Sequence, residues 1–124
     1  MSALEQLDAF RLARELAVDA YQLTRRRPLS GHPILSDQIG RAAVSIPANI
    51  AEGYALGTSR QLIRGVRIAY GSAVELHTHL WIADRVRVLP IDEKTTRVVA
   101  DTARVTSVLI GLLKHFGARV GRGE

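Results

Sequence analysis

The residue types able to do chemistry are few in this 124-residue chain, and their spacing limits them further. His77 and His79 lie two apart, which on a helix separates them by about 200° and prevents joint ligation of one metal ion. His77 then falls at the edge of an apolar face and His79 on a polar one. Ser72 and Glu75 have the spacing of a capping box, but they sit in mid-helix with no base to activate the serine. Only Glu52 and Glu75 are even half inward, too few carboxylates for a di-iron centre. No HExxH, P-loop, GxGxxG or nucleophile elbow occurs. Cysteine is absent, which excludes disulfides, thiolate chemistry and Cys-ligated clusters and makes a reducing cytoplasm the natural location. The expectation is a protein without catalytic residues, bound metal or cofactor.

What the chain has in quantity is arginine. Seventeen basic residues stand against twelve acidic, a formal charge of +5, and fifteen of the seventeen are arginine. The planar guanidinium fork suits phosphate, so the balance favours DNA or RNA ahead of an anionic membrane surface. Arg60, Arg64, Arg67 and Arg85 project within about 60° of one another on a helix, away from its apolar stripe. Arg25, Arg26 and Arg27 form a second basic run, adding to that face or making a separate contact. Phosphates would be drawn to such a surface irrespective of base sequence. Aromatic residues are scarce, and Trp81 and Tyr70 are expected at the core edge, so no stacking platform for single strands is foreseen. The competing reading is a structural scaffold whose arginines only solvate its surface while it docks another protein.

The elements that must position these groups are helical. Leu4, Leu7, Phe10, Ala13, Ala17, Ala20 and Tyr21 recur at the spacing of one helical face, predicting a helix over 4–24. Two prolines and a glycine within 28–33 impose a loop. Leu35, Ile39, Ala42, Ala43, Ile46 and Ile50 turn inward on a second helix, 35–53, which would kink at Pro47 and close with Gly53 in a left-handed cap. Ser59 is the expected N-cap of a third helix, 59–86, with Leu62, Val66, Ala69, Ala73, Leu76 and Leu80 inward. Pro90 then breaks the pattern and Asp92 caps a fourth, 92–116, carrying Val98, Val105, Leu109, Leu112 and Phe116. The result is a single all-α domain, an antiparallel up-down-up-down four-helix bundle. No apolar run approaches the roughly 18 residues of a membrane span, and the N-terminus has no signal-peptide pattern.

Two further patterns carry expectations. Gln38, Arg41, Ser45, Asn49 and Glu52 align beside the apolar face of the second helix, where half-buried polar groups need partners. Ser72 and Glu75 on the third helix could supply them, with Gly65, Ala69 and Ser72 small enough for close approach. The fourth helix has an apolar arc of roughly 200°, wider than one core needs, so Val99, Val108, Ile110 and Leu113 are assigned to a homo-oligomer interface.

The run from Gln38 to Gly53, followed by Ala69-Tyr70-Gly71-Ser72 and Glu75, closely resembles the bacterial four-helix bundle family encoded in large-subunit rRNA intervening sequences. The accessory variability proteins of diversity-generating retroelements look like relatives of that family. The resemblance is specific over residues 38 to 75 and looser in the first and fourth helices. It implies a ring of five identical subunits, no enzymatic activity, and, by way of the retroelement relatives, a basic surface for nucleic acid and for a reverse transcriptase. The charged Arg25-Arg26-Arg27 loop and the arginine-rich third helix depart from the expected pattern toward a more basic variant.

Overall fold

Apolar residues at helical spacing condense into four helices in the structure, a computed structural model that describes Leu4 and residues 7–117. They are α1 (Asp8–Thr24), α2 (Pro33–Ala55), α3 (Ser59–Arg85) and α4 (Glu93–His115), with a 3-10 turn over Leu29–Gly31 between the first two. Each helix packs against its neighbours in sequence, and α4 returns against α1, so α1 and α3 stand diagonally across a shared core. Leu16, Leu23, Ile39, Ile46, Ile50, Leu76 and Leu109 fill its centre. Four helices and no strand among the described residues establish the all-α bundle.

Local chemistry explains where the helices begin and end. Pro33 opens α2, where a missing N–H costs nothing. Thr58, and not Ser59, caps α3: its side chain accepts the Gln61 N–H at 3.1 Å. Asp92 caps α4 by accepting the Thr95 N–H at 3.0 Å. At the far end of α3 the Val88 N–H reaches Ala83 O at 2.9 Å and the Arg87 N–H reaches Asp84 O at 3.1 Å, the paired bonds of a Schellman motif. Its left-handed residue is Arg87, at φ 65°, where glycine is the usual choice.

Several expected features differ. Helix α1 starts at Asp8, with Leu4 in a turn, and Tyr21 faces solvent while Leu16 and Leu23 take the core positions. Helix α2, with Pro47 inside it, extends past Gly53 to Ala55, and the left-handed glycine in the connection is Gly57, at φ 86°. Gly53 serves another purpose. A Cβ there would lie 2.8 Å from Gln61 O, and one on Gly65 would lie 2.4 Å from Asn49 O and 2.9 Å from the Gly53 Cα. The two glycines therefore face each other where α2 and α3 touch backbone to backbone, an approach no side chain permits.

Candidate nucleic-acid interface

Beside that glycine contact the polar ladder is shorter than its spacing suggested. Ser45 Oγ and Ser72 Oγ are 2.8 Å apart, and the Asn49 amide donates to Ser45 Oγ at 2.9 Å and to Ser45 O at 2.8 Å. These three side chains link α2 to α3 in a buried to half-buried site. Gln38, Arg41, Glu52 and Glu75 are exposed and take no part in it. Arg41 pairs instead with Asp37 one turn back on its own helix, at 2.8 Å. Long charged side chains at a helix edge swing to water, whereas serine and asparagine are too short to escape.

The seven expected phosphate-binding arginines are all exposed, but the bundle does not bring them onto one surface. Along α3, Arg60 and Arg85 are separated by 25 residues, about 37 Å. Arg60, Arg64 and Arg67 lie near the α2–α3 connection. Arg25, Arg26 and Arg27 lie in the loop after α1, and that loop meets the loop before α4 through an ion pair between Arg26 and Asp92. Below it, Lys94 bonds Gln22 and approaches Asp19 at 3.9 Å, and Arg97 reaches the same carboxylate at 3.7 Å. Arg85 and Arg87 close α3 at this same end. The expected phosphate binders thus form two groups, one at each end of the bundle.

Asp92 sits where two of these features meet. The Thr95 N–H it accepts, reinforced by the Arg26 guanidinium, holds its carboxyl below the ordinary carboxylate value. A depressed folded-state value means that the stabilisation is present above the unfolded value, near 4, and is lost as pH falls through the lower folded one. Thermal melts from pH 7 to pH 3 should accordingly show Asp92→Asn less stable than the parent at neutral pH, with the gap narrowing below about pH 4. A gap independent of pH would remove the electrostatic account of the cap.

Between the second half of α3 and the start of α4 lies a groove of about 440 Å³. Leu80, Leu89, Pro90 and Val99 make its apolar surface, with Trp81, His77 and Ile91 on the walls and Asp84 and Asp92 as the charged groups. Trp81 is 52% exposed, contrary to its expected place at the core edge, and Arg85 lies over its ring at 4.3 Å. The histidines are likewise reversed. His77 is exposed along this groove, and His79 is half buried with Nε2 lacking a hydrogen-bond partner among the described residues.

The α4 patch also divides. Leu113 is buried at 1% exposure in the chain's own core and so is no interface residue. Val108 and Ile110 are half buried against that core, and only Val99 is exposed, at 41%. The wide apolar arc is largely used within the bundle because α4 packs against both α1 and α3. Among the described residues no cluster of three or more His, Asp or Glu side chains could hold a metal ion, and no helix is long and apolar enough to cross a membrane.

Sequence reasoning missed Arg87, Trp81 and Asp84. The i, i+4 spacing of Trp81 and Arg85 was the available signal for a stacked pair. Nothing local marked Arg87 as left-handed.

The model of a family described as 23S rRNA-intervening sequence protein matches residues 5–111. Among solved structures the chain is similar to a crystal structure of a protein of unknown function from the S23 ribosomal protein family of Bacteroides thetaiotaomicron VPI-5482, with a TM-score of 0.74. Sequence identity is 24%, covering 86% of this chain and 95% of that one, a likeness of fold alone. No curated protein matches the chain.

Proposed function

The chain belongs to the 23S rRNA-intervening sequence protein family, and on that footing we propose that it is a non-enzymatic, homo-oligomeric bundle protein that binds nucleic acid through its arginines without reading base sequence. The observation that carries this reading is the convergence of Arg25, Arg27, Arg85 and Arg87, all exposed, on one end of the bundle. Association there would come from phosphate charge and counterion release. The second group, Arg60, Arg64 and Arg67, gives the same chain another cationic end.

Assembly is the other half of the proposal. Exposed Val18 and Tyr21 on α1, Val44 on α2 and Ile68 on α3 offer apolar contact outside the groove, and replace the α4 patch as its basis. The resemblance over residues 38 to 75 supports five subunits in a ring, kinship with the accessory variability proteins of diversity-generating retroelements and a reverse transcriptase as protein partner, and the absence of cysteine supports a cytoplasmic site. Repetition around a ring would multiply weak phosphate contacts through effective concentration. Light scattering of the purified protein tests assembly, and a monomer overturns it.

Titration of labelled DNA and RNA at two salt concentrations tests the binding. Affinity should fall steeply with salt, and the Arg25→Ala/Arg27→Ala and Arg64→Ala/Arg67→Ala double variants should each lower the slope of log affinity on log salt by up to about 2. No binding at low salt, or binding indifferent to both pairs, would leave the scaffold reading. In that case the exposed apolar groove at Trp81, with Ile91 fully in solvent, would be the surface on which the scaffold docks a protein.

A further inference from the structure

We infer that the groove beside Trp81 is a slot for one unpaired base of single-stranded nucleic acid, stacked on the indole and held by Asp84 through an amino group on its edge. The inference rests on the nucleic-acid reading above, and adds to its sequence-independent phosphate contacts a preference for single strands and for bases that carry an exocyclic amino group.

Three observations meet at this place. The slot has the volume of a small-ligand site and apolar walls, Trp81 on one side and Ile91 and Val99 among the others. A tryptophan half in water at such a wall supplies a π-face that any base can cover, and Arg85 over the same ring adds a cation to the stack. The groove's two charged groups are carboxylates in a chain that is basic overall. Asp92 is engaged by Arg26 and by the Thr95 N–H. Asp84 is exposed and makes no ion pair among the described residues.

A carboxylate in a slot repels phosphate, so the sugar-phosphate backbone must stay outside. It accepts hydrogen bonds from the exocyclic amino groups of cytosine, adenine and guanine, which uracil lacks. Outside the slot the backbone meets arginines. Arg25 and Arg27 flank the residue that binds Asp92 at the groove rim, and Arg87 stands between Arg85 and the groove residue Leu89. Arg87 holds a left-handed conformation unfavourable to any side chain, so an arginine occupies the rim where glycine would be easier for the backbone. A duplex keeps its bases stacked and paired, so it would use the arginines and leave the slot empty.

Trp81 is the chain's sole tryptophan, and its emission therefore reports on this slot alone. Unlabelled oligo(A), oligo(C) and oligo(U) of equal length are titrated into the full chain at low salt while tryptophan fluorescence is followed. Anisotropy of labelled copies gives affinity. Oligo(A) and oligo(C) should quench Trp81 and bind more tightly than oligo(U). Trp81→Ala should weaken oligo(C) about tenfold, and Asp84→Ala, which removes the acceptor, should abolish the preference over oligo(U). Binding that leaves emission unchanged, or that survives Trp81→Ala at full strength, overturns the slot while the arginine surface stands. Absence of binding by all three oligomers, with the parent folded, overturns both.

Discussion

Replacing Gly65 by alanine should destabilise the bundle by about 2–3 kcal/mol, although alanine is the better helix former by about 1 kcal/mol. The added methyl would stand 2.4 Å from Asn49 O and 2.9 Å from the Gly53 Cα, and both are backbone atoms with no rotamer to relieve the contact. Helices α2 and α3 must then separate along their whole seam, stretching the Ser45–Ser72 hydrogen bond beside it. In a chain of this size the loss corresponds to a fall in Tm of roughly 10 °C. Gly71, where an added Cβ would meet nothing within 4 Å, is the internal control, and Gly71→Ala should gain up to about 1 kcal/mol. Urea unfolding of the two variants decides the matter. Equal stability of Gly65→Ala and the parent would falsify the backbone-contact account.

Leu113→Ala should cost about 2–5 kcal/mol, the range for a buried leucine whose surroundings only partly collapse. Its placement in the core also separates stability from assembly. If the side chain serves only this chain's interior, the variant lowers the unfolding midpoint and leaves the subunit number by light scattering as in the parent. Val99→Asp, at an exposed position on the same helix, should change stability by no more than about 0.5 kcal/mol. Dissociation of an assembly by Leu113→Ala without loss of subunit stability would restore the residue to an interface.

The helices were readable because apolar residues recur with the helical period, and that period survives whatever the helix packs against. Which residues sit at the edge of each face was less readable, since an edge is defined by the neighbouring helix. His77 and His79 show this: projection places them on two sides of α3, but α4 lies on the side of His77 and leaves it along an open groove. Gly53 differs from expectation for a related reason. A glycine near a helix end signals a cap when only its own helix is in view, and the need for closeness appears once Gly65 lies opposite.

The candidate site was legible as charge and illegible as place. Fifteen arginines announce a taste for anions, yet the division of the seven expected phosphate binders between two ends depends on which loops meet. Leu113 looked surplus because an arc of 200° exceeds the need of a helix with one neighbour, whereas α4 has two. The polar ladder failed at its longer members, Gln38, Arg41, Glu52 and Glu75, because spacing records where a side chain starts and not how far it can reach.

The seam between α2 and α3 also bears on how the chain reaches this state. The two helices are joined by residues 56–58 alone, and their pairing is the most extensive in the bundle. Closing so short a connection takes little entropy, whereas bringing α4 back to α1 spans most of the chain. The α2–α3 hairpin is thus the favoured nucleus, with α1 and α4 condensing on it afterwards. Damage at Gly65 would then slow folding, while damage at Leu113 would chiefly speed unfolding.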